Sequence, residues 1–244
     1  MLNHARTPRR KGAIGLIGLL LILLVAPMNA QTWQDELAKM PLAYPVKELN
    51  EKNCADVMLP SLHWNPVVKA LVFMPGATDE FYFFHRAKAV LTNGSPTLLD
   101  AVSALTNQTL IVATYRAPFL ILHTAEDPME PIGIVEDQKT AERIRRKEFK
   151  HFAIYNDRRW DEMQPMLQFE LNARVLPGTK SHETAHFFRN TFCCWELNGW
   201  QMLEAMTMAG KTRFTVKKKL IVFEGDTRFL SRPATPNGFL LKGK

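Results

Sequence analysis

Two histidines four residues apart, with a glutamate between them, form the pattern in this chain best suited to chemistry: His182-Glu183-Thr184-Ala185-His186. On a helix, positions i and i+4 share a face, so two imidazoles at that spacing reach one ion. Zinc accepts such nitrogen ligands, and a carboxylate beside it polarises a bound water into a nucleophile.

The motif resembles that of the H-E-x-x-H zinc metallopeptidases. The resemblance implies peptide hydrolysis with zinc as cofactor, His182 and His186 as ligands, Glu183 as catalytic base and a third ligand, for which Glu204 on the next expected helix is the candidate. A second reading of the same residues needs no metal. His182 and Glu183 sit in the first turn of a helix capped by Ser181 or Thr179, where a glutamate is favoured by the helix dipole. His186, Phe187 and Phe188 then pack at the helix end.

Two further clusters follow apolar runs. Gly76-Ala77-Thr78-Asp79-Glu80 carries two carboxylates, which bind a cation or cap the next element. His123-Thr124-Ala125-Glu126-Asp127 places a histidine and two acids at a strand end. No G-x-S-x-G elbow, P-loop or G-x-G-x-x-G occurs, so serine-hydrolase, nucleotide-hydrolase and dinucleotide readings lack their anchors.

The elements that would position these residues come in a repeated order. Thr191 to Glu224 reads as strand, turn, helix, turn, strand, tight turn, strand. Met202, Ala205, Met206 and Ala209 fall at i, i+3, i+4 and i+7, one face of a helix. Gly210 ends it, and Arg213 to Lys217 alternates polar and apolar before a turn at Lys218-Lys219. Upstream, Asn93-Gly94 precedes a helix with Leu98, Ala101, Val102 and Leu105 at the same spacing. Two apolar strands follow, Thr109 to Thr114 and Phe119 to Leu122. This is a duplicated β-α-β-β plan. In this alignment Asp100 matches Glu204, and no histidine pair precedes Asp100. The acid at Glu204 then belongs to the architecture.

A helix of the form LxEALxxLAxxTG before a hairpin resembles the short N-terminal domain of secretins and TonB-dependent receptors. The matching residues are Leu203-Glu204-Ala205-Met206 and Leu99-Asp100-Ala101-Val102, followed by Gly210-Lys211-Thr212 and Asn107-Gln108-Thr109. The resemblance covers the two units, under a third of the chain. It implies the fold of the unit and a habit of docking to partners. No barrel or pore segment follows, so no channel role is implied.

The N-terminus gives an address. Arg6, Arg9, Arg10 and Lys11 precede an apolar run from Ile14 to Val25, and Pro27-Met28-Asn29-Ala30 closes it. That is the outline of a secretory signal peptide over residues 1–30; the alternative is an uncleaved N-terminal anchor. The 244-residue chain has 31 Lys and Arg against 24 Asp and Glu. Removing the four basic residues of the leader leaves a surplus of three. Such a balance argues for no nucleic-acid partner, and no stable membrane span is expected after the leader. Cys54, Cys193 and Cys194 are the cysteines. Cys193 and Cys194 are expected on opposite faces of one strand. Cys54 either bridges to one of them or all three stay buried and free.

The expected fold is α+β: two β-α-β-β units with a helical insert, packed as one domain. The divisions are a lead-in over 31–66, a strand and the first unit over 67–124, the insert over 125–190, the second unit over 191–230 and a tail over 231–244. Within them, 31–53 reads as a loosely packed lead-in with one short helix at Trp33 to Met40, and 57–66 as loop. Val67 to Met74 and Phe81 to Phe84 read as strands, and 124–131 as a polar linker. Asp137 to His151 reads as a charged helix, Phe152 to Tyr155 as a strand and Trp160 to Leu171 as a helix, with Val175 to Gly178 as closing loop. The expected role is an exported, periplasmic or secreted module that binds an envelope protein or peptide without enzymatic action. The alternative is a zinc-dependent peptidase.

Overall fold

A computed structural model describes residues 32–74, 87–124, 130–154, 160–177, 190–210 and 212–225. The fold is α+β. Its elements in order are α1 (Trp33–Ala38), β1 (Glu48–Leu49), α2 (Cys54–Met58), β2 (Ala70–Met74), β3 (Ala89–Val90), α3 (Leu98–Gln108), β4 (Ile111–Arg116), β5 (Phe119–Thr124) and β6 (Gly133–Val135). Then come α4 (Gln138–Arg146), β7 (Glu148–Ile154), α5 (Trp160–Leu171), β8 (Arg174–Pro177), β9 (Thr191–Asn198), α6 (Gly199–Gly210), β10 (Thr212–Lys217) and β11 (Leu220–Gly225).

A five-stranded sheet in the order β4-β5-β2-β9-β7 divides the core. Alternating side chains of its strands feed two clusters. Leu71, Phe73, Leu120, Leu122 and Cys193 pack with α1, α2 and α3. Ala70, Val72, Ile121, Phe192 and Cys194 pack with α4, α5, α6 and a second, four-stranded sheet in the order β6-β10-β11-β8. All five residues of β2 are buried, as an uninterrupted apolar strand at the centre of a covered sheet requires.

Two stretches share a capped helix followed by a hairpin, in a registration other than the expected one. α3 opens with a capping box in which Thr97 Oγ1 accepts from the Asp100 N–H at 3.2 Å and Asp100 Oδ2 accepts from the Thr97 N–H at 2.7 Å. α6 opens the same way. Asn198 Oδ1 accepts from the Gln201 N–H at 2.9 Å and Gln201 Oε1 from the Asn198 N–H at 3.1 Å. Thr97 therefore corresponds to Asn198 and Asp100 to Gln201. The hairpins follow in step, Ile111 with Thr212 and Phe119 with Leu220. The sequence match of Asp100 with Glu204 is one helical turn off. An i, i+3, i+4 pattern superposes on itself nearly as well after a shift of three, so apolar spacing alone could not fix the registration.

The strand before each helix also joins a different sheet from the hairpin after it. β3 pairs with β1, and β9 pairs with β2 and β7. Each hairpin is completed instead by an earlier parallel strand: β2 beside β5, with Ala70 opposite Phe119, and β8 beside β11, with Arg174 opposite Leu220.

Several expectations need correction. The charged helix ends at Arg146 rather than His151. From Glu148 the chain is strand, held by pairing with β9 and by burial of Phe149, Phe152 and Ile154. The closing loop at Val175 is β8, and residues 133–135 form β6; both are short strands with little pattern to read. The stretch between the units thus supplies strands to both sheets as well as two helices. Cys54–Met58 is helical and overlaps the start of the expected loop at Val57 and Met58. The lead-in is well packed, with Leu37, Met40, Leu42 and Leu49 in the core. The expected strand at Phe81 to Phe84 lies outside the described residues. Helices over Trp33–Ala38, Leu98–Gln108 and Trp160–Leu171 form where the spacing placed them, the last with Pro165 inside it.

α6 is enclosed on nearly every side. Met202, Leu203, Ala205, Met206, Thr207, Met208 and Ala209 are buried. Its entry is tight: the Gly199 N–H donates to the Lys147 carbonyl at 2.7 Å, and a β-carbon there would strike the Ile144 carbonyl oxygen. Gly199→Ala should cost about 2 kcal/mol in urea unfolding, because backbone rather than a yielding side chain stands in the way. At α3, the Thr97 backbone N–H holds the Asp100 carboxyl below the ordinary carboxylate range, slight burial opposing it. That contribution is complete above the unfolded pKa and disappears as pH falls through the lower folded one. Asp100→Ala should cost about 1 kcal/mol at pH 7 and progressively less in acid, read from unfolding curves at both pH values.

Candidate functional site

The site that the geometry builds lies where β7 and β9 both break step. The ladder pairs Phe149 with Leu197 and His151 with Trp195, passing over Lys150 and Glu196. Phe149 and Phe152 face one cluster, as do Cys194 and Leu197. Each strand therefore has one residue too many for simple alternation. Glu196 takes up the excess with φ of 49°, a left-handed conformation that a side chain resists. The phase break leaves Lys150, His151 and Glu196 exposed together. His151 packs on the Trp195 ring with centroids 4.3 Å apart.

A loop is fastened beside this break. Trp195 Nε1 donates to the Leu62 carbonyl and Lys69 accepts from the Trp195 N–H, both at 2.7 Å. Asn65, buried, holds the bend between them. Its Oδ1 accepts from Val68 N–H at 2.6 Å and Val67 N–H at 3.0 Å, and its Nδ2 donates to the Val68 carbonyl at 2.7 Å. Tyr115 adds a bond from its hydroxyl to the Val67 carbonyl at 2.9 Å. On this fixed bend Trp64 stands 55 % exposed.

Between loop and strands lies a groove of about 740 Å³. Trp64, Trp195 and Phe149 give it aromatic walls. Glu148, Glu196, Lys69 and Lys150 line it with charges of both signs, together with Asn198 and Gln201. The amide oxygens of Asn198 and Gln201 are taken up in the α6 capping box. The described lining contains no hydroxyl or thiol. It can stack a flat group, and pair with both signs of charge, on a scaffold already held by hydrogen bonds.

The sequence candidates fall elsewhere. His182, Glu183 and His186 lie outside the described residues, as do Gly76 to Glu80 and Ala125 to Asp127. Among the described residues no group of three His, Cys, Asp or Glu side chains could hold a metal. Glu204 sits on α6, where its Oε1 accepts from Trp200 Nε1 at 2.9 Å, and the Arg145 guanidinium lies 4.4 Å over the Trp200 ring. Burial raises its pKa, and the Trp200 bond and Arg145 partly offset this. His123 is a core histidine, 4 % exposed, with Nε2 2.9 Å from Thr114 Oγ1.

The three thiols are free and buried. Cys193 and Cys194 face opposite clusters, as strand alternation requires. Desolvation pushes Cys54 and Cys194 up to about 12 and Cys193 higher still. Thiolate is therefore scarce at neutral pH, and these are packing residues.

Sequence reasoning missed the groove. Trp64 reads as loop punctuation, and the break at Glu196 has no signal in residue type. The one visible cue is His63-Trp64-Asn65-Pro66, a bulky aromatic placed within turn formers. No protein-family model, curated protein or solved structure matches the chain.

Two outcomes test this geometry. Glu196→Gly should hold or raise stability by up to about 1 kcal/mol, since glycine accepts the left-handed backbone; at an ordinary strand position it would lower it. Glu204→Gln should leave the protein as stable or more so at pH 7. The charge that burial disfavours is gone, and the gap over wild type should close as pH falls through the raised pKa of Glu204. Thermal melts across pH 3–8 read both.

Proposed function

We propose that this chain is an exported, non-enzymatic interaction module that holds an extended segment of another envelope protein, or a peptide, in the Trp64–Trp195 groove. The left-handed backbone at Glu196 carries the reading. Strain of that kind persists where a surface must be aimed, and here it turns charges and an aromatic stack outward beside a braced loop. β7 pairs only with β9 among the described residues, so its outer main-chain groups face the position an added strand would take. Side chains of such a strand would meet tryptophan faces, with Lys69, Lys150, Glu148 and Glu196 selecting by charge. Docking to partners is also what the resemblance to secretin and TonB receptor N-terminal domains implies.

Panning a peptide library displayed on phage against the purified chain tests this. Binders should lose about ten-fold or more in affinity to Trp64→Ala and to Lys150→Glu while both variants keep the parent melting temperature. Binders indifferent to both changes would sink the proposal. The alternative, zinc-dependent peptide hydrolysis through His182, Glu183, His186 and Glu204, is checked in the same preparation. About one zinc per chain, lost together with peptidase activity in His186→Ala, would replace the binding reading with the enzymatic one.

A further inference from the structure

Lys147, the C-cap of α4, pairs with Glu170 of α5, Nζ to Oε2 at 2.7 Å, and the surface changes character across this ion pair. α5 buries Met163, Leu167 and Leu171. On one flank Gln164 Nε2 donates to the Val175 carbonyl at 2.6 Å, and Gln168 Oε1 accepts from the Val175 N–H at 3.0 Å. Turning by about 100° per residue, Glu170 occupies the opposite flank, with Met166 and then Phe169 next toward solvent. Phe169 is 84 % exposed and Met166 41 %. The inner face of this helix is already buried, so neither side chain serves the core.

α4 shows the complementary change. Thr140, Ala141 and Ile144 point inward. Arg145, toward α6, stacks on Trp200. Lys147, the C-cap, begins the other flank, and the same turning places Arg143 and then Lys139 and Arg146 beyond it, with Glu142 next; Lys139, Arg146 and Glu142 are exposed. A flank with Arg143, Lys139 and Arg146, bordered by Glu142, therefore adjoins an apolar face of α5 across the Lys147–Glu170 pair.

We infer that this surface docks on an anionic lipid bilayer. Phe169 and Met166 enter the boundary between headgroups and acyl chains, while Lys139 and Arg146 meet lipid phosphates. Charge and form favour this occupant over a folded protein. A stable protein interface takes roughly 800 Å² of matched surface on each side. Here the apolar contribution is two side chains standing in solvent, and a fluid bilayer receives those without a preformed cavity. The site shares none of Phe169, Met166, Lys139 and Arg146 with the groove lining and does not depend on the function proposed for it.

Co-sedimentation of the full chain with vesicles tests the inference. One set is neutral phosphatidylcholine and the other an equal mixture with phosphatidylglycerol. Binding to the anionic set should exceed the neutral one by about ten-fold or more at low salt and fall steeply in 0.5 M salt, used here as roughly a 4 Å screening length. Phe169→Ser should weaken it about ten-fold. Lys139→Glu with Arg146→Glu should remove the preference for anionic lipid. Both variants change exposed side chains, so melting curves should match the parent and separate lost binding from lost fold. Binding through the leader, whose four basic residues also favour anionic lipid, would be the same in every variant, and that outcome overturns the inference. So does absence of vesicle binding, including the case in which this face captures an acidic protein instead.

Discussion

The enclosure of α6 between two sheets is the constraint that the rest of the structure obeys. A helix buried nearly all round cannot carry charge inward. Its sequence from Met202 to Ala209 is accordingly methionine, leucine, alanine and threonine, with Glu204 on the partly open side. Its first residue must be glycine for α4 to pass close by. Its N-cap, Asn198, is the last residue of β9, so the central sheet and the inter-sheet helix are joined without a loop. Burial of a large apolar side chain contributes about 1.5–3 kcal/mol. A helix with this many therefore holds both sheets in place.

The two halves of the chain solve one packing problem twice. A reciprocally capped helix leads into a hairpin, and an earlier strand closes the hairpin in parallel. The helices and hairpins were legible because their periods, 3.6 and 2, leave marks in apolar spacing. The registration between copies was not, because those marks repeat within a few residues and the capping residues differ, threonine with aspartate in one and asparagine with glutamine in the other. The closing strands were not legible either. Arg174 to Pro177 and Gly133 to Val135 are too short to carry a pattern, and what makes them strands is a partner distant in sequence.

The groove illustrates the same limit at a site. Its tryptophans are visible as residue types. What gives them a role is a pair of compensating steps in two neighbouring strands, and neither step has a residue signature: no glycine marks Glu196, and Lys150 is an ordinary strand-edge lysine. The histidine motif stands at the other extreme, fully visible in sequence and lying in a stretch without described geometry. Glu204 shows why a motif and its surroundings have to be weighed together. Its carboxylate is bonded to an indole in a partly desolvated setting shaped by its own helix.

The place of β2 at the middle of the larger sheet has a consequence for biogenesis. One of its neighbours, β9, is drawn from far downstream, with Leu71 opposite Cys193. Contacts of such long sequence separation form late and slowly. A nascent chain lacking its last fifty or so residues has no second neighbour for β2 and lacks α6, which packs against that strand. Commitment to the native state is therefore timed by the arrival of β9 and α6.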